Sequence, residues 1–492
     1  MRSLAGQTRK SQPSTMIKAK LYPILMVVVC LPAAGVAKSY TLDEILDLAR
    51  KGNPGLAAGE QATAGIEAQL LEAKRAWMPT GEINSLLSQA PRISCTGQQG
   101  STIGDDGKLI PAPAAEQNCV QTQAIGTNSS GFLNAITPAG VFTRTELKLV
   151  QPVYTFGKIS AGVAAAESGV KASQNRQFGL VADLDLNVRK AYWGAKLATE
   201  ILATLDEASG FLDQAQKKIE EELAEGSGDA SVTDRLRLRT MRADIDGRIL
   251  EAQRMADLAR VGLRALIGAD APADLDVDAE PLDALKVPDR PLQRYEDEAR
   301  ESRPEVKALD HMVAAKRSLA DLESRRQYPD IVLIGTAAYA YASSVDTPQN
   351  GYLNDPFHAL GAGIAAGFHM PLDLGVKNAR AAKLHAEAKE AEQKRREALN
   401  GITFEVEKAH AELTEAGKRT KVMQKGEKAG RQWIAAVAQN IAVGVAEAKD
   451  FSDALVAFFQ ARVRFLQSMY DFNVAAAALT RASGVDVTAS SP

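Results

Sequence analysis

The sequence predicts a mainly α-helical chain interrupted by short membrane-spanning β-strands and built as two structural repeats. Three observations carry this prediction. Landmarks recur at fixed spacing: Pro54 and Pro79 stand 25 apart, as do Pro304 and Pro329, while Gly228, Asp234 and Gly268 are answered by Gly444, Asp450 and Gly484 at an offset of 216. Uninterrupted helical patterns run 71 residues from Gly157 to Gly228 and 69 from Gly375 to Gly444, each about 105 Å long at the rise of an α-helix. Ahead of each lies a segment of about ten strictly alternating residues, the length a transmembrane barrel strand requires.

Taken in order, the chain opens with Met16, Lys18 and Lys20 and an apolar run from Leu21 to Val36 that ends in Gly35-Val36-Ala37. This reads as a secretory signal over residues 1–37. The run is shorter than the ~20 residues of a spanning helix, and Val29 before Cys30 argues against a lipoprotein. Cys95 and Cys119 then remain, in a compartment oxidising enough for them to pair. Charged residues make up 24% of the chain and nearly cancel, at a formal −3, so no basic footprint indicates nucleic acid. Abundant alanine and only 5% aromatics favour helix.

Repeat one is expected over residues 38–269. Thr41 to Trp77 is helical, with Leu42, Ile45 and Leu46 on one face, a break at Asn53-Pro54 and a stop at Pro79. A β-hairpin over about 80–151 follows. In its second strand Phe142, Arg144, Glu146 and Lys148 point one way, and Val141, Thr143, Thr145, Leu147 and Leu149 the other. The long helix then reaches a tip near 228 and returns with a heptad seam at Leu238, Met241, Ile245, Ala252, Met255 and Ala259. One long helix packed beside two shorter ones laid end to end accounts for these lengths.

Residues 270–290, rich in Pro and Asp, read as a linker. Repeat two is expected over residues 291–486, with a hairpin at about 330–371, a tip near 444 and a tail at 487–492. Its strand carries Leu360, Ala362, Ile364, Ala366, Phe368 and Met370 on one face and glycines, alanine and His369 on the other. The seam of its returning helix is Phe451, Leu455, Phe458, Phe465, Met469 and Phe472. The first hairpin exceeds the second by 31 residues, an insertion that holds Cys95 and Cys119.

Gly361 to Gly367 imitates a dinucleotide loop, but it alternates like a strand and meets Pro371 where a helix would begin. His311, His358, His369, His385 and His410 never fall at metal-ligand spacing, and no GxSxG, Walker A or HExxH motif occurs. No enzymatic chemistry, metal site or cofactor is therefore expected. A periplasmic coiled-coil scaffold or adaptor accounts for the helices but not for the alternating hairpins between them.

Thr41-Leu42-Asp43-Glu44 through Asn53-Pro54, the turn from Gln151-Pro152-Val153-Tyr154 to Gly157-Lys158, and the two Gly-x5-Asp turns resemble the TolC family of outer membrane efflux proteins over nearly all of the mature chain. The resemblance implies a homotrimer forming a twelve-stranded β-barrel in the outer membrane, continued by an α-helical barrel through the periplasm. It implies an exit duct for a tripartite efflux pump or a type I secretion system, with a periplasmic adaptor and an inner membrane transporter as partners.

Carried over by position, Gly228 and Gly444 become adaptor-docking tips, and Asp450 and Asp453 become carboxylate rings at a gate, with Thr233 and Asp234 beside them. Asp450 and Asp453 equally suit a solvated helix start, where Asp favours the first turn. The chain departs from the family at Ala446, where a gate-locking basic residue can stand; Lys449 is the nearest candidate to replace it. Leu147, Leu149, Ile364 and Phe368 are expected to face lipid. No residue names the cargo.

Overall fold

The structure, a computed structural model, describes residues 39–90, 92–96, 102–103, 105, 109–110, 118–123, 140–225, 231–347, 355–442 and 448–488. The signal segment, Gly228, Gly444 and Ala446 lie outside the described residues. In chain order the elements are β1 (Ser39–Tyr40), α1 (Leu42–Gly52), α2 (Pro54–Arg75), β2 (Thr80–Gln89), β3 (Arg92–Thr96), β4 (Thr102–Ile103), β5 (Leu109–Ile110), β6 (Asn118–Gln123), β7 (Val141–Tyr154), α3 (Lys158–Glu225) and α4 (Val232–Ile267). The second repeat adds β8 (Asp276–Val277), α5 (Leu292–Ser302), α6 (Pro304–Arg325), β9 (Asp330–Ala342), β10 (Ala359–His369), α7 (Leu374–Ala442) and α8 (Ala448–Ser483). The expected mainly helical chain with four long strands is what the structure has.

Local chemistry sets the breaks. Thr41 and Glu44 form a capping box at the start of α1. Asn53 ends α1 and caps α2, its Oδ1 accepting from the N–H groups of Gly55 at 2.9 Å and Leu56 at 3.1 Å, with Pro54 at the first helical position. In repeat two Arg303 occupies the same junction and makes no cap hydrogen bond. Its buried guanidinium instead reaches Glu405 of α7 at 2.6 Å and Glu305 at 3.4 Å. A local cap has been exchanged for a tie between helices.

The 68-residue α3 and 69-residue α7 each lie beside shorter helices, α3 against α2, α4, α6 and α8, and α7 against α5, α6 and α8. Buried positions on α7 advance by four and three, at Ile402, Val406, Ala409, Leu413 and Ala416, the spacing of a coiled-coil seam. The α4 seam differs from expectation at one place. Met255 is exposed and Ala256 is buried, because a helix turning at 3.6 residues drifts off a strict heptad count.

The segment expected as a linker is a packed strap. β8 pairs in parallel with β1, and Leu275, Val277 and Leu282 are buried in the same core as Ile45, Leu46, Val188 and Tyr192. Asn473 of α8, fully buried, accepts from the Leu285 N–H at 2.9 Å and donates to the Asp283 carbonyl at 2.8 Å. Asp278 receives the Lys196 ammonium at 2.5 Å and the Tyr192 hydroxyl. Burial and that hydrogen bond push the Tyr192 hydroxyl well above its ordinary pKa.

Candidate functional site

The site begins with the register of one antiparallel sheet, in the order β10-β9-β7-β2. Leu147 stands opposite Ile83 on β2 and Ala337 on β9, and Ala337 stands opposite Ala362 on β10. Leu149 stands opposite Gly335, which faces Ile364, and Ile331 faces Phe368. Because side chains alternate with a period of two, Leu147, Leu149, Ile364 and Phe368 share one face. Ile83, Leu87, Leu333, Tyr339, Tyr341 and Leu360 fall on it too. Among the described residues nothing covers the β10 side of this face: Leu360, Ile364 and Phe368 are 88%, 80% and 78% exposed.

The opposite face has another character. Glu82, Asn84, Arg144, Glu146, Lys148 and Thr336 lie there, with Gly361 and Gly363 beside them. Arg144 pairs with Glu146 at 2.5 Å, and Asn84 donates to Glu82 at 2.8 Å. The sheet thus has a greasy side and a wet side. Leu86, exposed on the wet side, and Phe142, Val150, Val332 and Ile334 are the large apolar residues there.

Both outer strands, β2 and β10, leave one backbone edge unpaired among the described residues. An edge of this kind cannot stand in hydrocarbon, where every backbone N–H and C=O needs a partner. The ten residues of β2 and eleven of β10 match the nine to eleven of a tilted spanning strand. The Leu, Tyr and Ile members of this face on β2 and β9 were not singled out in the sequence. On β9 both faces are apolar at Val332 and Ile334, which hides the alternation. Tyrosines at alternate positions, Tyr339 and Tyr341, are the signal that could have revealed it.

In the insertion, β3 pairs antiparallel with β6 and sets Cys95 directly opposite Cys119. At the far ends of the long helices, the tip glycines lie outside the described residues, but their flanks are described. Ser231 caps α4 and shares a capping box with Asp234, whose carboxylate takes the Ser231 N–H at 3.1 Å. The hydrogen bonds from the Ser231 hydroxyl and N–H hold the Asp234 carboxyl below the usual carboxylate range. Thr233 is exposed beside it. Lys449, Asp450 and Asp453 all lie exposed in the first turns of α8. The four expected gate residues therefore stand at the openings of the two returning helices.

Among the described residues no helix is long and apolar enough to cross a membrane, and no group of three His, Cys, Asp or Glu is placed to hold a metal ion. Comparison with known proteins agrees with this fold. Residues 296–485 match the family described as outer membrane efflux protein. Over 182 residues the chain is 26% identical to the cobalt-zinc-cadmium resistance protein CzcC of Cupriavidus metallidurans, a match covering 37% of this chain and 42% of that protein, so it spans less than half of the relative's length. Among solved structures, the CmeC outer membrane channel of Campylobacter jejuni superposes with a TM-score of 0.68 at 16% identity, over 96% of this chain and 94% of that one. The open state of the MtrE outer membrane channel of Neisseria gonorrhoeae gives 0.65 at 17% identity, over 91% and 89%.

Proposed function

We propose that this chain, whose second repeat carries an outer membrane efflux protein domain, is the outer membrane exit duct of a tripartite efflux or type I secretion system. The observation that carries the reading is the sheet with an exposed apolar face, a polar reverse face and two open edges, set at one end of helices about 100 Å long. Four strands cannot close a barrel, and the smallest single-chain barrels use eight. Three copies joined β10 to β2 supply twelve strands and remove every edge. The wet face then lines a water-filled lumen, and the helices extend it through the periplasm.

Transport through such a duct is passive, and energy comes from an inner membrane transporter reached through a periplasmic adaptor. The adaptor docks at the tips marked by Gly228 and Gly444. Asp450 and Asp453, three copies each, form the acidic constriction at the entrance, where low-dielectric walls concentrate cations. Asp234 is already engaged in its own helix cap, so Thr233 is the freer of the pair to reach a neighbouring helix as the entrance closes.

The deciding experiment is fractionation followed by mass measurement. The protein should remain with outer membranes after a carbonate wash and should run as a trimer once extracted in detergent. A monomer soluble without detergent would refute the reading.

A further inference from the structure

Where the sheet meets the helices, the β7–α3 turn has an unusual backbone. Phe156 and Gly157 take positive φ in succession, at 50° and 79°. For a bulky residue this is an outlier that the surroundings must hold in place. The Phe156 ring stacks on Tyr328, centroids 5.7 Å apart at 21°, and meets Tyr154 edge-on at 4.7 Å. Lys158 fastens the turn to the other repeat, donating to the Tyr328 carbonyl at 2.7 Å and pairing with Asp330 at 2.9 Å. At Gly157 a Cβ would lie 2.0 Å from the Arg325 guanidinium, so only glycine lets that cation sit against the turn.

These residues enclose an open cleft of about 510 Å³, lined by aromatic rings together with Arg325 and Asp321. Arg325 and Asp321 are one helical turn apart on α6, a spacing at which opposite charges normally meet. Here they do not. Arg325 makes one long hydrogen bond, 3.5 Å to the Gly157 carbonyl, and Asp321 has no ion pair or hydrogen bond among the described residues.

Tyr154 stands opposite Ile331, itself opposite Phe368, so the cleft opens just beyond the helix-side end of the exposed apolar face. It lies between β7–α3 and α6–β9, the inner elements of the chain, and so stays open when copies join at β2 and β10.

We propose that this cleft holds the headgroup of a zwitterionic phospholipid bearing a primary ammonium, with its acyl chains along the apolar face; the proposal rests on the membrane reading above. Arg325 supplies a planar, multiply donating partner for the phosphate. Asp321, one turn away, accepts from the ammonium, and the aromatic rings favour the same cation through their faces. Two unpaired opposite charges over an aromatic floor match a ligand that carries both charges, whereas an anionic lipid would use only Arg325.

The test is native mass spectrometry of the detergent-extracted protein titrated in turn with phosphatidylethanolamine, phosphatidylglycerol and phosphatidylcholine. One phosphatidylethanolamine per chain should bind about tenfold more tightly than phosphatidylglycerol, the worth of one charge-assisted hydrogen bond. Asp321→Asn should erase that preference, and Arg325→Ala should weaken all three lipids about tenfold. Equal binding of the three lipids by the unaltered protein, a preference for phosphatidylglycerol, or variants that bind as the unaltered protein does would each overturn the proposal while leaving the duct intact. A protein that needs no detergent would overturn both.

Discussion

Replacing Ile364 by arginine tests the membrane reading at its centre. Ile364 is the sixth of eleven residues in β10, at mid-height of the sheet, and its row continues through Gly335 and Leu149 to Gly81. No member of that row offers a charge or a hydrogen-bonding side chain. An arginine on the lipid face near the bilayer midplane costs ~2–4 kcal/mol, roughly a 30- to 700-fold loss in the folding equilibrium of each chain. Three copies in one barrel multiply the effect. The control is Gly361→Arg. Its row runs through Ala338 and Glu146 to Asn84 on the wet face, and its Cβ position is open, so a change within about 1 kcal/mol is expected. Folding into phospholipid vesicles, followed by denaturant titration and by trimer bands on semi-native gels, measures both. Equal losses for the two variants, or none for Ile364→Arg, would refute the assignment of faces.

Cys95 and Cys119 should be joined in the mature protein, stabilising the insertion by ~3 kcal/mol in the chain-entropy model; finding both thiols alkylated in unreduced, denatured protein would contradict this. Asp450→Asn combined with Asp453→Asn should relieve block by a trivalent cation added on the periplasmic side of a single-channel recording, whereas undiminished block would leave the pair as a solvated helix start. Lys196→Ala should cost ~3 kcal/mol, since it leaves the largely buried Asp278 carboxylate and its Tyr192 partner without their cation, and thermal melting of the helical circular dichroism signal reads this directly. The Asp278 carboxyl is pulled below its ordinary value because the hydrogen bonds from Lys196 and Tyr192 outweigh burial, which alone would raise it. Its contribution is therefore complete above about pH 4 and is lost as pH falls through the lower folded value, so Asp278→Asn should flatten the acid limb of stability against pH.

The duplication was legible because prolines and glycines sit where helices must start, stop or reverse, and those demands do not change with the surrounding sequence. The apolar face of the sheet was legible on β7 and β10, where polar or small residues alternate with large apolar ones, but not on β9, where both faces are apolar. Residues 270–290 misled for a physical reason. Pro and Asp there ended helices as expected, yet Leu275, Val277 and Leu282 among them reach a core that only the folded strap brings near. Repeat spacing put Asp234 and Asp450 at equivalent helix starts, as the structure has them, but the engagement of Asp234 in its own helix cap depends on Ser231 three residues earlier, which the spacing does not encode.

The same junction in each repeat argues for a fixed waist along the helices. Each returning helix ends in a glycine of positive φ, Gly268 at 101° and Gly484 at 74°, pressed against the break between the two short helices. A Cβ on Gly268 would lie 2.5 Å from the Gly52 carbonyl, and one on Gly484 would lie 3.1 Å from the Arg303 nitrogen. Around these contacts charged pairs tie the helices together within each repeat and, through Arg481 and Asp183, between the two. Arg50 of α1 grips Asp185 of α3 at 2.6 and 2.9 Å, and Arg481 of α8 joins Asp183 of α3 at 2.6 Å and Glu305 of α6. Burial opposes ionisation of Glu305, but the Arg481 hydrogen bond outweighs it and holds the carboxyl below its usual range. Such ties contribute only while their geometry is kept, since losing one partner of a buried pair strands the other. For the duct proposed above, rigidity at mid-length would let α3 with α4 and α7 with α8 swing on one side of the waist while the sheet on the other side keeps its register.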